Sequence, residues 1–447
     1  MRLRPLFALL LGLQLAPVLA QEPPPAPAPA VAPSDDPDAA ETAATKVPLE
    51  EIRRFVGVFD AVRQAYVDPV SDRKLMQSAV KGLLLDLDPH SAYLEKSDAQ
   101  AFDEETSGAY AGIGVEVQEQ PDGTIKIISP IDDTPAARAG IKSGDVITAV
   151  DGKPVTGEDD DSQGPLRGAP GTKVTLTLER EGVAKPFDVT LQRETIRVAS
   201  VRGRMLAPTL GYIRIAAFQA DTAADFEHEL DVLQGPSGKA LHGLVLDLRS
   251  NPGGLLTSAV QIADDLLDAG KIVSTRGRIA ISDSQFNATP GDRLHGAPVV
   301  ALVDAGSASA AEVLAGALAD NHRARVVGSR TFGKGSVQTL LPLDNGDSVK
   351  LTTARYFTPS GKSIQARGIA PDVLLHPAAG APNGGHADYA EALLPGHLRG
   401  ETEGEAGSNA GDVLDGEAPV NAALAELRKM LPGTTAASNP KAAAAKK

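Results

Sequence analysis

Two short apolar runs constrain this chain more than any other feature: Leu244-Val245-Leu246-Asp247-Leu248 and Val299-Val300-Ala301-Leu302-Val303. Neither alternates with polar residues, so each reads as a strand buried on both faces of a parallel sheet. Each leads into a glycine-bearing turn and then a helical pattern. Strands and helices alternate from Thr195 to about Pro371, which makes residues 195–375 an α/β core. In open α/β sheets, sites form where such turns leave the carboxyl ends of the strands.

The turn after the second run is Ala305-Gly306-Ser307-Ala308-Ser309-Ala310-Ala311-Glu312. The pattern predicts a strand to Asp304 and a helix over 310–320, with Ser309 at the junction. A serine there exposes its hydroxyl, has the free amides of the first helical turn beside it, and feels the positive end of the helix dipole. Alone it would be no more than an N-cap. The turn after the first run is Arg249-Ser250-Asn251-Pro252-Gly253-Gly254, where two glycines permit positive φ and leave backbone amides accessible. One of Gly253 and Gly254, together with Ala310, would then donate to an oxyanion.

Twenty-five residues after Ser309 comes Gly333-Lys334-Gly335, followed by Gln338. A solvated lysine titrates near ~10.4 and is charged at neutral pH, so a lysine base must be buried, because burial disfavours the ammonium. The flanking glycines let the backbone fold Lys334 inward, and Phe332 would help exclude water. Gln338 would orient the amine. Residues four apart in a fully extended strand lie about 13 Å from each other, so this requires a bend near Gly335. A histidine base fits poorly: His295 precedes the strand, and the helix carries His322 roughly 20 Å from Ser309. No His-Glu-x-x-His or Cys/His cluster is present, so no metal or cofactor is expected.

The remaining chain divides by composition. Arg2 and Arg4, the apolar stretch Leu6 to Leu15, and Val18-Leu19-Ala20 read as a secretory signal over 1–20, with mature protein starting near Gln21. Residues 21–46 are a Pro/Ala linker expected to be disordered. Residues 47–106 are helical, with Ile52, Phe55, Val56 and Phe59 on one apolar face suited to packing or self-association. Residues 107–194 hold short strands at Gly112–Val117, Ile125–Ile128, Asp145–Val150 and Thr172–Leu178, a small β-rich domain. After His376 the composition turns to Gly, Ala, Glu and Pro, read as a largely disordered tail over 376–447 with a short helix near Val420–Met430. Among 447 residues there is no cysteine, which suits an oxidising compartment such as a bacterial periplasm, and a net charge of −15 argues against nucleic acid.

Taken together, Gly306–Glu312, Asp247–Gly254, Gly333-Lys334-Gly335 with Gln338, and Leu87-Asp88-Pro89-His90-Ser91 resemble the carboxyl-terminal processing proteases, the S41 family of serine peptidases, over roughly residues 50 to 375. The resemblance implies a crotonase- or Clp-protease-like α/β core, a mixed sheet with helices, carrying an inserted PDZ domain and an N-terminal helical module. It implies Ser309 as nucleophile, Lys334 as base, Gln338 as its partner, and the Ala310 and Gly253 or Gly254 amides as oxyanion donors. Many relatives carry a second serine where this chain has Ala311. Gly112-Ile113-Gly114-Val115 resembles the PDZ loop that receives a peptide's terminal carboxylate, and Arg167 lies in a segment that in this family links ligand binding to the active site. The expected activity is endoproteolysis of envelope proteins presented by accessible C-termini. The expected partners are a second copy joined through the helical module and a helical-repeat adaptor protein. The alternative is a catalytically silent PDZ scaffold.

Overall fold

The computed structural model describes residues 47–120, 122–155, 164–235, 240–377, 390–401 and 411–431. The expected signal sequence and linker lie outside the described residues.

The chain opens with helices α1 (Leu49–Ala65) and α2 (Asp72–Leu85), the second N-capped by Ser71, whose hydroxyl accepts from the Lys74 amide. Strand β1 (Ala92–Leu94) and helix α3 (Lys96–Ser107) follow, and Gly108 at φ 70° ends α3 in the left-handed conformation. The small domain comprises β2 (Ala109–Gly112), β3 (Val115–Glu119), β4 (Ile125–Pro130), a short helix α4 (Pro135–Arg138), β5 (Val146–Val150), β6 (Lys153–Pro154), β7 (Lys173–Glu179), β8 (Phe187–Gln192) and β9 (Glu194–Arg197). Its sheet runs β3-β4-β5-β7-β8 with β6 on β5, while β2 and β9 form a separate ribbon beneath it. The strand expected over Gly112–Val117 is broken. Gly114, at φ 80°, turns the chain between β2 and β3, and a Cβ there would lie 2.3 Å from the Thr134 Cβ. Only glycine allows that approach.

The core adds β10 (Val201–Ala207), β11 (Leu210–Ile215), α5 (Thr222–Gln234), β12 (Gly243–Asp247), α6 (Leu256–Leu266), β13 (Lys271–Gly277), β14 (Ser284–Asn287), β15 (Val299–Val303), α7 (Ala310–Asp320), β16 (Ala324–Gly328), β17 (Ser336–Pro342), β18 (Ser348–Phe357), β19 (Val373–Leu374) and α8 (Ala418–Met430). One sheet, β10-β11-β12-β15-β16-β19, is parallel except for β10. Leu244, Leu246, Val299 and Ala301 bury one face against residues of α5, α6 and α7. Val245, Val300 and Leu302 bury the other against Val420, Ala423 and Leu427 of α8. Coverage on both sides is why β12 and β15 read as unbroken apolar runs. A second, antiparallel sheet runs β1-β18-β13-β14, with β17 also on β18.

Two regions set apart by composition pack against the core. The N-terminal module is not separate from the core, because β1 pairs with β18 from Ala92↔Lys350 to Leu94↔Ser348. In the tail read as largely disordered, the helix expected near Val420–Met430 is α8 and packs on the core, and Glu391 and Leu414 are buried. Its glycines serve close approach: a Cβ at Gly411 would sit 1.9 Å from the Arg330 carbonyl oxygen, and one at Gly400 2.4 Å from that of Gln365. Leu427 packs onto Gly243, where a Cβ would come within 2.9 Å of its Cδ1. Leu427→Ala is therefore expected to lower stability by about 2–5 kcal/mol, measured by urea unfolding of the full chain.

Candidate active site

The loops after β12 and β15 are laced to each other before either side chain of interest is placed. Asp304 Oδ1 accepts from the amides of Ser250 (2.8 Å) and Gly306 (2.9 Å), and Ser307 Oγ donates to the Leu248 carbonyl (2.8 Å). The Ala308 amide donates to the Asn251 carbonyl at 2.9 Å. Beneath them, buried Asp247 holds Arg249 through both carboxylate oxygens and accepts from the Tyr212 hydroxyl.

Ser309 sits at φ 52°, ψ −115°, a backbone conformation that costs a non-glycine residue about 1–3 kcal/mol and persists only where the surroundings enforce it. Two contacts do so. The Ser309 amide donates to Glu312 Oε2 (2.8 Å), and the Ser307 carbonyl accepts from the Phe332 amide (3.0 Å). Facing the serine, Gly253 at φ 103° comes so near that a Cβ there would lie 2.8 Å from the Ser309 Cβ and 3.1 Å from the Ala310 nitrogen. The Gly253 amide is engaged by Asn251 Oδ1 (2.8 Å), whereas those of Gly254 and Ala310 have no partner among the described residues. Burial pushes the phenol of Tyr356 up to about 12, with Ser309 acting in the opposite direction.

Glu312 joins the serine turn to the lysine loop. Wholly buried on α7, its carboxylate accepts from the amides of Ser309, Gly333 (2.7 Å) and Lys334 (2.9 Å) and from the Thr331 hydroxyl (2.5 Å). Burial pushes it up to about 7, against those four donors. Gly333 takes φ 96°, and Gly335 lies where a Cβ would meet the Gln365 nitrogen at 2.2 Å, so the bend expected near Gly335 is a tight passage beneath another segment. Burial, followed by the charge of Lys350, lowers the Lys334 pKa, while Glu391, Glu312 and Asp88 act in the opposite direction.

Gln338 is not bonded to Lys334 in this structure, contrary to the sequence expectation. Its amide nitrogen donates to Ser336 Oγ (3.0 Å) and Thr352 Oγ1 (3.2 Å). The physical reason is a bulge between Val337 and Gln338, which sets Gln338 opposite Thr352 on β18. Its carbonyl oxygen is left without a partner among the described residues. Nor does a hydrogen bond join Lys334 to Ser309 among them.

Sequence reasoning missed the groups that hold this assembly. Asp88 Oδ1 accepts from the amides of His90 and Ser91 (both 2.9 Å) and from Thr352 Oγ1 (3.0 Å), linking the N-terminal module to Gln338. Glu391 accepts from Gln365 Nε2 (2.8 Å) and lies 2.8 Å from His90 Nε2, while Gln365 Oε1 accepts from the Gly335 amide (3.0 Å). The short motif around Asp88 was visible as a motif, but its target on β18 was not.

In the small domain, Gly112, Ile113, Gly114, Val115 and Arg167 line one groove together with Tyr110. Arg167 pairs with Glu104 of α3, and its guanidinium lies 5.5 Å from the Tyr110 ring centroid. Those contacts tie the groove to the helix that leads out of the N-terminal module.

An α/β core that bears a PDZ domain and a serine on a strained strand-to-helix turn belongs to the class of serine-type peptidases. Residues 209–375 match peptidase family S41, residues 111–191 match a PDZ domain, and residues 28–98 match the activating protease CtpB N-terminal domain. The chain is 41% identical to a carboxy-terminal-processing protease of Bartonella bacilliformis over 86% of its own length and 89% of that protein's. It is 38% identical to carboxy-terminal processing protease CtpA of Bacillus subtilis over 70% of its length and 67% of that protein's. It is also similar to the solved photosystem II D1 C-terminal processing protease, with 32% identity, coverage of 74% of this chain and 94% of that one, and a TM-score of 0.42. The chain belongs to the S41 family of carboxy-terminal processing serine peptidases.

Glu312→Gln places an amide donor opposite hydrogen-bond donors without changing the side chain's size. Peptide hydrolysis is expected to slow by roughly 10- to 100-fold through misplacement of the serine and lysine backbones. Urea unfolding of the same variant is expected to show a loss of about 1–3 kcal/mol.

Proposed function

We propose that this peptidase cleaves through a Ser309–Lys334 dyad, acting on envelope proteins in the periplasm whose C-termini the PDZ groove captures. The observation that carries the reading is the single buried carboxylate of Glu312, which binds the backbones of Ser309 and Lys334 at once. Neutral Lys334 accepts the Ser309 proton as the hydroxyl attacks the scissile carbonyl. The Ala310 amide and the unengaged Gly254 amide receive the oxyanion, Gly253 allowing the close approach that its own engaged amide does not serve. The lysine then returns the proton to the leaving amine, and water releases the acyl group.

The described geometry corresponds to a resting arrangement, in which Gln338 bonds Ser336 and Thr352 rather than Lys334. Catalysis requires the Ser309 hydroxyl and the Lys334 amine to meet. Gln338 is suited to hold the amine, because both hydrogens of its amide nitrogen have acceptors and its carbonyl oxygen is open toward a donor. Secretion rests on the signal sequence. No described helix is long and apolar enough to cross a membrane.

The test is hydrolysis of an unstructured peptide with a free C-terminus. Ser309→Ala and Lys334→Ala are each expected to reduce kcat/KM by at least about 10³-fold. Wild-type kcat/KM should rise with pH as Lys334 deprotonates, with its limb below the ordinary lysine value of ~10.4 because burial lowers that pKa. A Ser309→Ala protein as active as wild type rejects the dyad, and failure of Ser309 to take a serine-directed covalent label in an inactive wild type favours the scaffold.

The helical module supports self-association. Helix α1 buries none of its residues, and Ile52, Phe55, Val56, Met76, Val80 and Leu83 are exposed on α1 and α2. A second copy of the chain is the proposed occupant of this face, ahead of a helical-repeat adaptor. Light scattering is expected to give a dimer for wild type and a monomer for the Phe55→Asp/Val80→Asp double variant.

A further inference from the structure

The antiparallel sheet sets two arginines directly opposite each other. Arg276 of β13 pairs in register with Arg355 of β18, and Ser336 of β17 lies across Arg355 on its other side. Like charges at directly opposed positions destabilise an antiparallel pair. Arg278 follows just beyond β13. Among the described residues none of the three arginines forms an ion pair, and the Arg276 guanidinium lies 4.4 Å from the Phe357 ring centroid. All three line one pocket of about 190 Å³, in which Glu401 is the sole acidic lining residue among the described residues. In a chain of net charge −15, three guanidinium groups around one cavity, without an ion pair among the described residues, are an electrostatic exception.

The pocket adjoins the candidate active site through two of its walls. Thr352 forms one, and its Oγ1 is the acceptor for Gln338 Nε2 at 3.2 Å. Leu398 forms another, and its carbonyl accepts from Gln365 Nε2 (3.0 Å), the side chain that also holds the Gly335 amide. A group seated here is therefore one side chain away from Gln338 and from the loop that carries Lys334.

We propose that this pocket is a carboxylate-binding subsite that holds an acidic group of the peptide substrate beside the scissile bond. Planar guanidinium forks match a carboxylate with paired hydrogen bonds, and an arriving carboxylate would relieve the repulsion between Arg276 and Arg355. The inference rests on the peptidase reading above and adds a substrate preference that the dyad alone does not supply. The carboxylate comes from an Asp or Glu side chain or from the peptide terminus itself.

The test uses the full chain and internally quenched peptides that share their last residues, so that capture by the PDZ groove is constant, and differ by Glu or Gln at single positions around the cleavage site. At one of these positions wild type is expected to cleave the Glu peptide with about ten-fold higher kcat/KM than its Gln counterpart. The gap should narrow in high salt. Arg355→Gln and Arg278→Gln should erase the gap while cleaving the Gln peptide at the wild-type rate. A C-terminally amidated set separates the sources: amidation that slows wild type more than Arg355→Gln assigns the pocket to the terminal carboxylate. Equal cleavage of every peptide by wild type, or an undiminished preference in both arginine variants, overturns the subsite. Binding to Ser309→Ala, read by fluorescence anisotropy, keeps the two readings apart. Tighter binding of the Glu peptide that depends on Arg355 supports the subsite even if no peptide is cleaved, and equal binding of Glu and Gln peptides in an active enzyme counts against it.

Discussion

Glu312 accepts four hydrogen bonds in a site without water access, and three of them come from the backbones of Ser309, Gly333 and Lys334. The spacing of Ser309 and Glu312 is the ordinary one of a helix N-terminus, where residues three apart are neighbours. The difference here is that the same carboxylate also reaches across to residues 331–334. One rigid helix turn therefore fixes the strained backbone of the serine and the course of the lysine loop. A chain that lost this acceptor would leave buried amides unsatisfied at both places, so the serine turn and the lysine loop cannot be displaced independently.

The N- and C-terminal regions converge on that centre from outside. Asp88, from the loop after α2, fixes Thr352 and through it Gln338. Glu391, from the far end of the chain, fixes Gln365 and through it Gly335. His90 bridges the two segments by its contact with Glu391. Lys334 thus lies in a shell of buried carboxylates that favour its charge, within packing that disfavours it, with burial the larger influence.

What was legible in the sequence follows from how uniform each environment is. Leu244–Leu248 and Val299–Val303 are covered on both faces, so every residue reports burial and the strands were plain. Helix α7 announced itself through its glycine turn and apolar repeat. In the tail the helix near Val420–Met430 was legible as α8, whereas Gly400 and Gly411 are glycines for the sake of close approach, a use that composition alone cannot separate from flexibility. The break at Ile113-Gly114 was hidden because an apolar-glycine alternation looks like a strand until the Thr134 side chain lies opposite Gly114. Asp88 and Glu391 escaped because their partners Thr352 and His90 are 264 and 301 residues away, and nothing local marks a carboxylate for burial.

Strand β18 gathers contacts from several parts of the chain. Thr352, which engages Gln338, and the buried Tyr356 stand on this one strand four residues apart. The same strand pairs with β1 of the N-terminal module and carries Arg355 on the face that lines the cationic pocket. Any shift of β18 along or across its ladder must therefore move Thr352 and Arg355 in concert, because the backbone between them is fixed by pairing to β17 and β13. The route from the PDZ groove to this strand is equally continuous: Arg167 grips α3, α3 follows β1, and β1 is hydrogen-bonded to β18. The PDZ groove, the N-terminal module and the Thr352–Gln338 contact are thus joined mechanically through one strand.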